Sequence, residues 1–80
     1  MDKNILSVSR KMKNGILDDD YTLFDDATIL HEFDKHSYSG GQNLQENLTV
    51  DELSDTVKQR LLDSASNENK EVVRRTLRIN

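Results

Sequence analysis

A chain of 80 residues has room for one small domain, and such a domain buries only about 60% of the surface its unfolded chain exposes, so disulfides, a metal or self-association are the usual supports. The absence of cysteine excludes disulfides, thiolate metal sites and thiol redox chemistry, while 34% hydrophobic and 32% charged residues describe a thin core under a heavily solvated surface. The net charge of −4 is sorted by position: residues 1–17 carry +3, 18–34 carry −7 and 70–80 carry +3, a pattern that bears on association more than on fold.

In chain order, the first expected element is a helix over about residues 3–14, entered at Asp2 and closed at Gly15, with Ile5, Val8 and Met12 on one face. The run Asp18, Asp19, Asp20 is too polar and self-repelling for a core and reads as the start of an acidic loop over 18–26. Tyr21, Leu23 and Phe24 allow a short strand. A helix ending near His36 is preferred there, because a lone strand has no evident partner and Asp25, Asp26, Ala27, Leu30 and Phe33 suit helical spacing. Residues 37–47 contain Ser39, Gly40, Gly41, Gln42 and Asn43 and read as a flexible connector.

The strongest local signal begins at Leu48. Thr49 and Glu52 form a capping box, Leu48 and Leu53 a hydrophobic staple, and Val50, Leu53, Val57 and Leu61 an apolar stripe, which together predict a helix over about 50–63. Ser64 to Asn69 interrupt it, since short polar side chains compete for backbone hydrogen bonds. A last helix over about 68–78 carries Val73 and Leu77; one long kinked helix over 50–78 is the alternative. The expected fold is therefore all-α: a single domain over 1–80 of three to four short helices, with a C-terminal helical hairpin and mobile acidic and glycine-containing connectors.

No chemical signature accompanies these elements. Read as a calcium loop from Asp18, the acidic run puts Leu23 where glycine is required and Ile29 where a bidentate glutamate is required, so no metal site is expected. His31 and His36 are five apart, a spacing that separates them on a helix, and nothing resembles a nucleophile elbow. We expect no catalytic residue, no cofactor and no enzyme. The expected role is a non-enzymatic regulator or adaptor of bacterial or phage type. In it Asp18, Asp19, Asp20, Asp25 and Asp26 steer a protein partner that buries Tyr21 and Phe24, with an amphipathic helix face completing the contact.

Lys70, Arg74 and Arg78 align at successive i, i+4 steps beside Arg75. They offer a competing reading, a small dimeric DNA-binding transcriptional regulator, although a pI near 5.0 is opposite to the usual footprint of such proteins. An assembly subunit of a phage or secretion structure is the third class. A homo-oligomer is expected on grounds of core size. No stretch approaches the roughly 18 apolar residues of a membrane span, and Ile5, Leu6 and Val8 do not make a signal-peptide core, so a cytoplasmic protein without membrane contact is expected. The order of helix, connector and two helices, ending in Val73, Arg74, Arg75, Thr76 and Leu77, loosely resembles the small enterobacterial connector proteins that modulate two-component signalling and biofilm formation. That likeness covers about half the chain, implies only a small regulator and assigns no site.

Overall fold

The computed structural model describes residues 3–13, 17–34 and 44–79. The expected all-α bundle is not what forms: the chain is an α+β protein in which an antiparallel sheet precedes two helices. The elements are β1 (Ile5–Ser9), β2 (Met12–Lys13), β3 (Leu17–Phe24), β4 (Thr28–Phe33), β5 (Leu44–Thr49), a three-residue 3-10 turn (Val50–Glu52), α1 (Asp55–Ser64) and α2 (Lys70–Leu77). The sheet order is β1-β3-β4-β5, and β2 pairs with β3 through Met12↔Asp18 and Lys13↔Leu17. The loose likeness to helical connector proteins loses its first helix here.

The first helix and the acidic loop are both replaced by strands, and alternation explains why. In a strand successive side chains point to opposite faces, so three consecutive aspartates are not crowded together: Asp19 turns to one face with Tyr21 and Leu23, while Asp18 and Asp20 turn to the other with Thr22 and Phe24. The helix expected to end near His36 is β4, where Ile29, His31 and Phe33 alternate with Leu30 and Glu32. The strand that lacked an evident partner is paired along both sides. Ser7, Val8 and Ser9 of β1 oppose Leu23, Thr22 and Tyr21, and β4 pairs with β3 from Asp19↔Phe33 to Leu23↔Ile29. Of the expected connector, residues 37–43 lie outside the described residues, and residues 44–47 belong to β5.

Asp25, Asp26 and Ala27 make the β3–β4 turn. Ala27 takes a left-handed conformation, φ 68°, and its N–H donates to the Phe24 carbonyl at 3.1 Å. The Asp26 carboxylate accepts from the Thr28 N–H at 3.1 Å and from the Thr28 hydroxyl, which holds the first residue of β4 in place.

The capping signal at Thr49 is real in chemistry and displaced in consequence. The Glu52 carboxylate accepts from the Thr49 N–H at 3.0 Å and from its hydroxyl at 3.1 Å, but it closes only the 3-10 turn. Leu53 is extended, and α1 starts two residues on, where Ser54 Oγ accepts from the Val57 N–H at 3.2 Å. The helices are two, not one kinked helix. The Lys70 ammonium donates to the Leu62 carbonyl near the end of α1, at 3.1 Å. Beyond α2, Arg78 is left-handed, φ 59°, and the N–H groups of Arg78 and Ile79 donate to the Arg75 and Arg74 carbonyls, a Schellman closure made with arginine in the usual glycine position.

Both helices lie on the Leu23 side of the sheet. The core joins Leu23 and Ile29 from the sheet, Val50 and Leu53 from the connection, and Leu61, Leu62, Ala65, Val73 and Leu77 from the helical half. All four residues of the predicted stripe therefore meet the core, Val57 at its margin, although Val50 lies in the 3-10 turn, Leu53 in the extended link and Val57 and Leu61 in α1. No helix among the described residues is long and apolar enough to cross a membrane.

Candidate functional site

The two faces of the sheet differ in what covers them. On the helical side, beyond the apolar core, a polar network fills the space between α1 and the strands. Arg60 donates from Nε to Ser9 Oγ at 3.1 Å, from Nη1 to Asp19 Oδ2 at 3.0 Å and from Nη2 to the Asp19 carbonyl at 2.8 Å. The other carboxylate oxygen of Asp19 lies 2.7 Å from His31 Nε2, and His31 Nδ1 lies 2.8 Å from Glu46 Oε1. Both ring nitrogens face carboxylate oxygens, so the two contacts are hydrogen bonds to ionised partners together only in the imidazolium form. The ring is stacked between Tyr21, centroids 4.2 Å apart, and Phe33, 4.5 Å apart. Arg60 lies over the other face of Tyr21. Burial first, and the neighbouring Asp19 carboxylate second, push the Tyr21 phenol above its ordinary value, with Arg60 opposing.

Among the described residues no buried side-chain nitrogen or oxygen lacks a partner, and no group of three His, Asp or Glu is placed to hold a metal. The network joins β1, β3, β4, β5 and α1.

Among the described residues the opposite face carries no helix. Across its middle runs the row Val8, Thr22, Leu30 and Asn47, set by the strand register. Toward the β3–β4 turn lie Phe24 and Ile5, the latter 57% exposed. Lys3 sits over the Phe24 ring at 5.2 Å and pairs with Asp26 at 3.3 Å. In the other direction Asp20 stands directly opposite Glu32, with Asp18 beyond on β3. Like charges directly opposite on neighbouring strands cost stability. Gln45 offers its amide to Glu32 at 3.4 Å, and the Lys11 N–H donates to Asp20 at 3.3 Å, but no ion pair links either carboxylate to a described cation.

The residues singled out in the sequence are thus divided. Asp18, Asp20 and Phe24 share the open face. Asp19 and Tyr21 point the other way into the internal network, and Asp25 and Asp26 belong to the turn, where Asn4 donates to Asp25 at 3.1 Å. Hydrogen bonding from Thr28, ahead of the Lys3 charge, holds the Asp26 carboxyl below its usual range. Of the basic residues, Lys70 is engaged with Leu62, Arg75 with Glu71 at 3.7 Å and Arg78 with Asp51 at 3.0 Å; Arg74 is exposed on α2. In the sequence Arg60 and Glu32 carry no site reading, and Val8 and Leu30 register only as apolar positions of expected helices. Period-two alternation over 17–24 and 28–33 is the signal that groups Leu30 and Glu32 with Asp20, whereas the place of Arg60 depends on helix docking. No known protein family, curated protein or solved structure matches this chain.

Proposed function

We propose that the chain is a non-enzymatic protein-binding regulator or adaptor. Its open sheet face receives a protein partner whose apolar patch is bordered by basic residues. One observation carries this reading: the face opposite the helices combines an apolar centre, Val8, Leu30, Phe24 and Ile5, with an opposed carboxylate pair, Asp20 and Glu32, that costs the isolated fold stability. Local conflicts of that kind concentrate at functional sites. Apolar anchors provide affinity, and the surrounding charge steers and selects the partner. A face-to-face pair of identical copies, each with net charge −4, sets acidic rim beside acidic rim, so a basic partner of different sequence is the better match. The cytoplasm is the compartment this reading assumes.

The nucleic-acid reading has less support, because Lys70 is engaged with the end of α1 and the net charge of −4 is opposite to the usual footprint of such proteins, and no observation favours the assembly-subunit reading over it. The decisive variant is Glu32→Lys. Placed opposite Asp20, it converts a repulsive cross-strand pair into an attractive one, so the free protein gains up to about 1 kcal/mol. Partner affinity falls, as it does in Leu30→Lys, while Val72→Lys on α2 leaves it unchanged. Titration of the variants against a purified partner at two salt concentrations decides the matter. Binding that persists in Glu32→Lys and Leu30→Lys, or that fails only in Val72→Lys, refutes the assignment.

A further inference from the structure

We infer that two copies of this chain associate through β5, pairing antiparallel about a two-fold axis at Asn47 so that their sheets join into one. This rests on the edge of the sheet and not on its open face, and it stands or falls separately from the partner reading.

The two edges of the sheet are treated differently. Along β1 the pairing is broken by a bulge at Leu6, the Leu6 carbonyl accepts from Asn69 Nδ2 at 3.3 Å, and Lys3 precedes the strand. Bulges, lysines and covering side chains are how proteins keep an edge from recruiting another strand. Among the described residues β5 has none of them. Its register with β4 is unbroken from Thr28↔Thr49 to Phe33↔Leu44, and its sequence contains no lysine, arginine or proline. Its single charge, Glu46, is bound to His31. Among the described residues β5 pairs on one side only, which leaves a row of main-chain donors and acceptors along a regular, nearly neutral six-residue edge.

Self-complementarity selects the occupant. Joining two sheets with their helices on the same side requires each residue to face one from the same sheet face. A two-fold axis at Glu46 sets carboxylate against carboxylate. An axis at Asn47 sets amide against amide, Gln45 against Thr49 of the second copy and Glu46 against Leu48, with no opposed charges. A domain of this size, without cysteine, gains the burial it otherwise lacks. The joined sheet also lays two open faces side by side.

Sedimentation of the full chain at high micromolar concentration tests the inference. A dimer is expected, tightening with added salt because two copies of net charge −4 repel, whereas docking of a basic partner weakens with salt. Asn47→Lys puts like charges on the axis and is expected to weaken the dimer at least about tenfold, or about 1.4 kcal/mol, with an unchanged circular dichroism spectrum. Because the natural chain has no cysteine, Asn47→Cys supplies a second readout. Directly opposed residues in an antiparallel pair have Cα atoms about 4.5–5.5 Å apart, within disulfide reach, so this variant crosslinks on oxidation while Asp63→Cys on α1 does not. A chain that stays monomeric, a dimer indifferent to Asn47→Lys that fails to crosslink through Asn47→Cys, or a monomer whose β5 takes up an unrelated extended peptide overturns it.

Discussion

Asp19 shows how a residue that is unremarkable in sequence becomes central once its strand is placed. Flanked by two other aspartates, it alone turns toward α1, is 5% exposed, and meets Arg60 and His31. A buried carboxylate that loses a cation pays its desolvation without compensation. Arg60→Ala is therefore expected to destabilise the protein by about 3 kcal/mol, the lower part of the range for a broken buried pair, since His31 remains. Urea unfolding measures it, and a loss below about 1 kcal/mol contradicts the assignment, being the cost of an exposed pair. Titration adds two signs to check. The Asp26 carboxyl is held below its unfolded value of 3.8, so its contribution is present above that pH and fades as pH falls through the folded value. The Tyr21 phenol is held above 10.0, so its contribution is complete below that pH and fades as pH rises beyond it. Asp26→Asn is expected to flatten the acid limb of unfolding midpoint against pH, and Tyr21→Phe the alkaline limb.

At the scale of elements, the helical half was legible and the sheet half was not, for identifiable reasons. Val50, Leu53, Val57 and Leu61, then Val73 and Leu77, carry helical spacing in apolar residues, so the core they form could be read directly. In β1 the inward positions after the bulge are Ser7 and Ser9, whose hydroxyls meet the Leu61 carbonyl and Arg60. Alternation is invisible when the buried residues are serines, and Ile5, Val8 and Met12 then imitate a helical face. In β3 the inward aspartate concealed the same period. Asp18, Asp20 and Phe24 were accessible to sequence reasoning, but their union with Leu30 and Glu32 required the β3–β4 register. Two element ends use non-glycine residues in the left-handed region, which costs about 1–2 kcal/mol each. Ala27→Gly is expected to raise stability by about 0.5–1 kcal/mol, since the lost methyl contact offsets part of the relief. Arg78→Gly should behave similarly, because the Asp51 pair it sacrifices is exposed at both ends. Thermal unfolding of the two variants checks this, and a lowered midpoint in Ala27→Gly refutes the strain argument.

For the whole molecule, the distribution of the core decides how it unfolds. Among the described residues Leu23 and Ile29 are the fully buried apolar residues of the sheet, and they share one cluster with Leu61, Val73 and Leu77 from the helices. Among the described residues neither layer has a second core to retreat to, since no described element covers the far face of the sheet and the outer faces of both helices are polar apart from Val72. Total stability for a chain of this length is about 4–12 kcal/mol, and truncating a buried leucine costs about 2–5 kcal/mol. Leu77→Ala, at the far end of the chain from the sheet, should therefore bring the protein close to global unfolding rather than release α2 alone. The helical far-ultraviolet dichroism and the near-ultraviolet tyrosine signal, which includes Tyr21 in the sheet, are expected to shift together and to the same midpoint, the behaviour of a single cooperative unit. If the tyrosine transition stays where it was while the helical one moves, the sheet holds itself together without α2, and the single shared core is the wrong description of this fold.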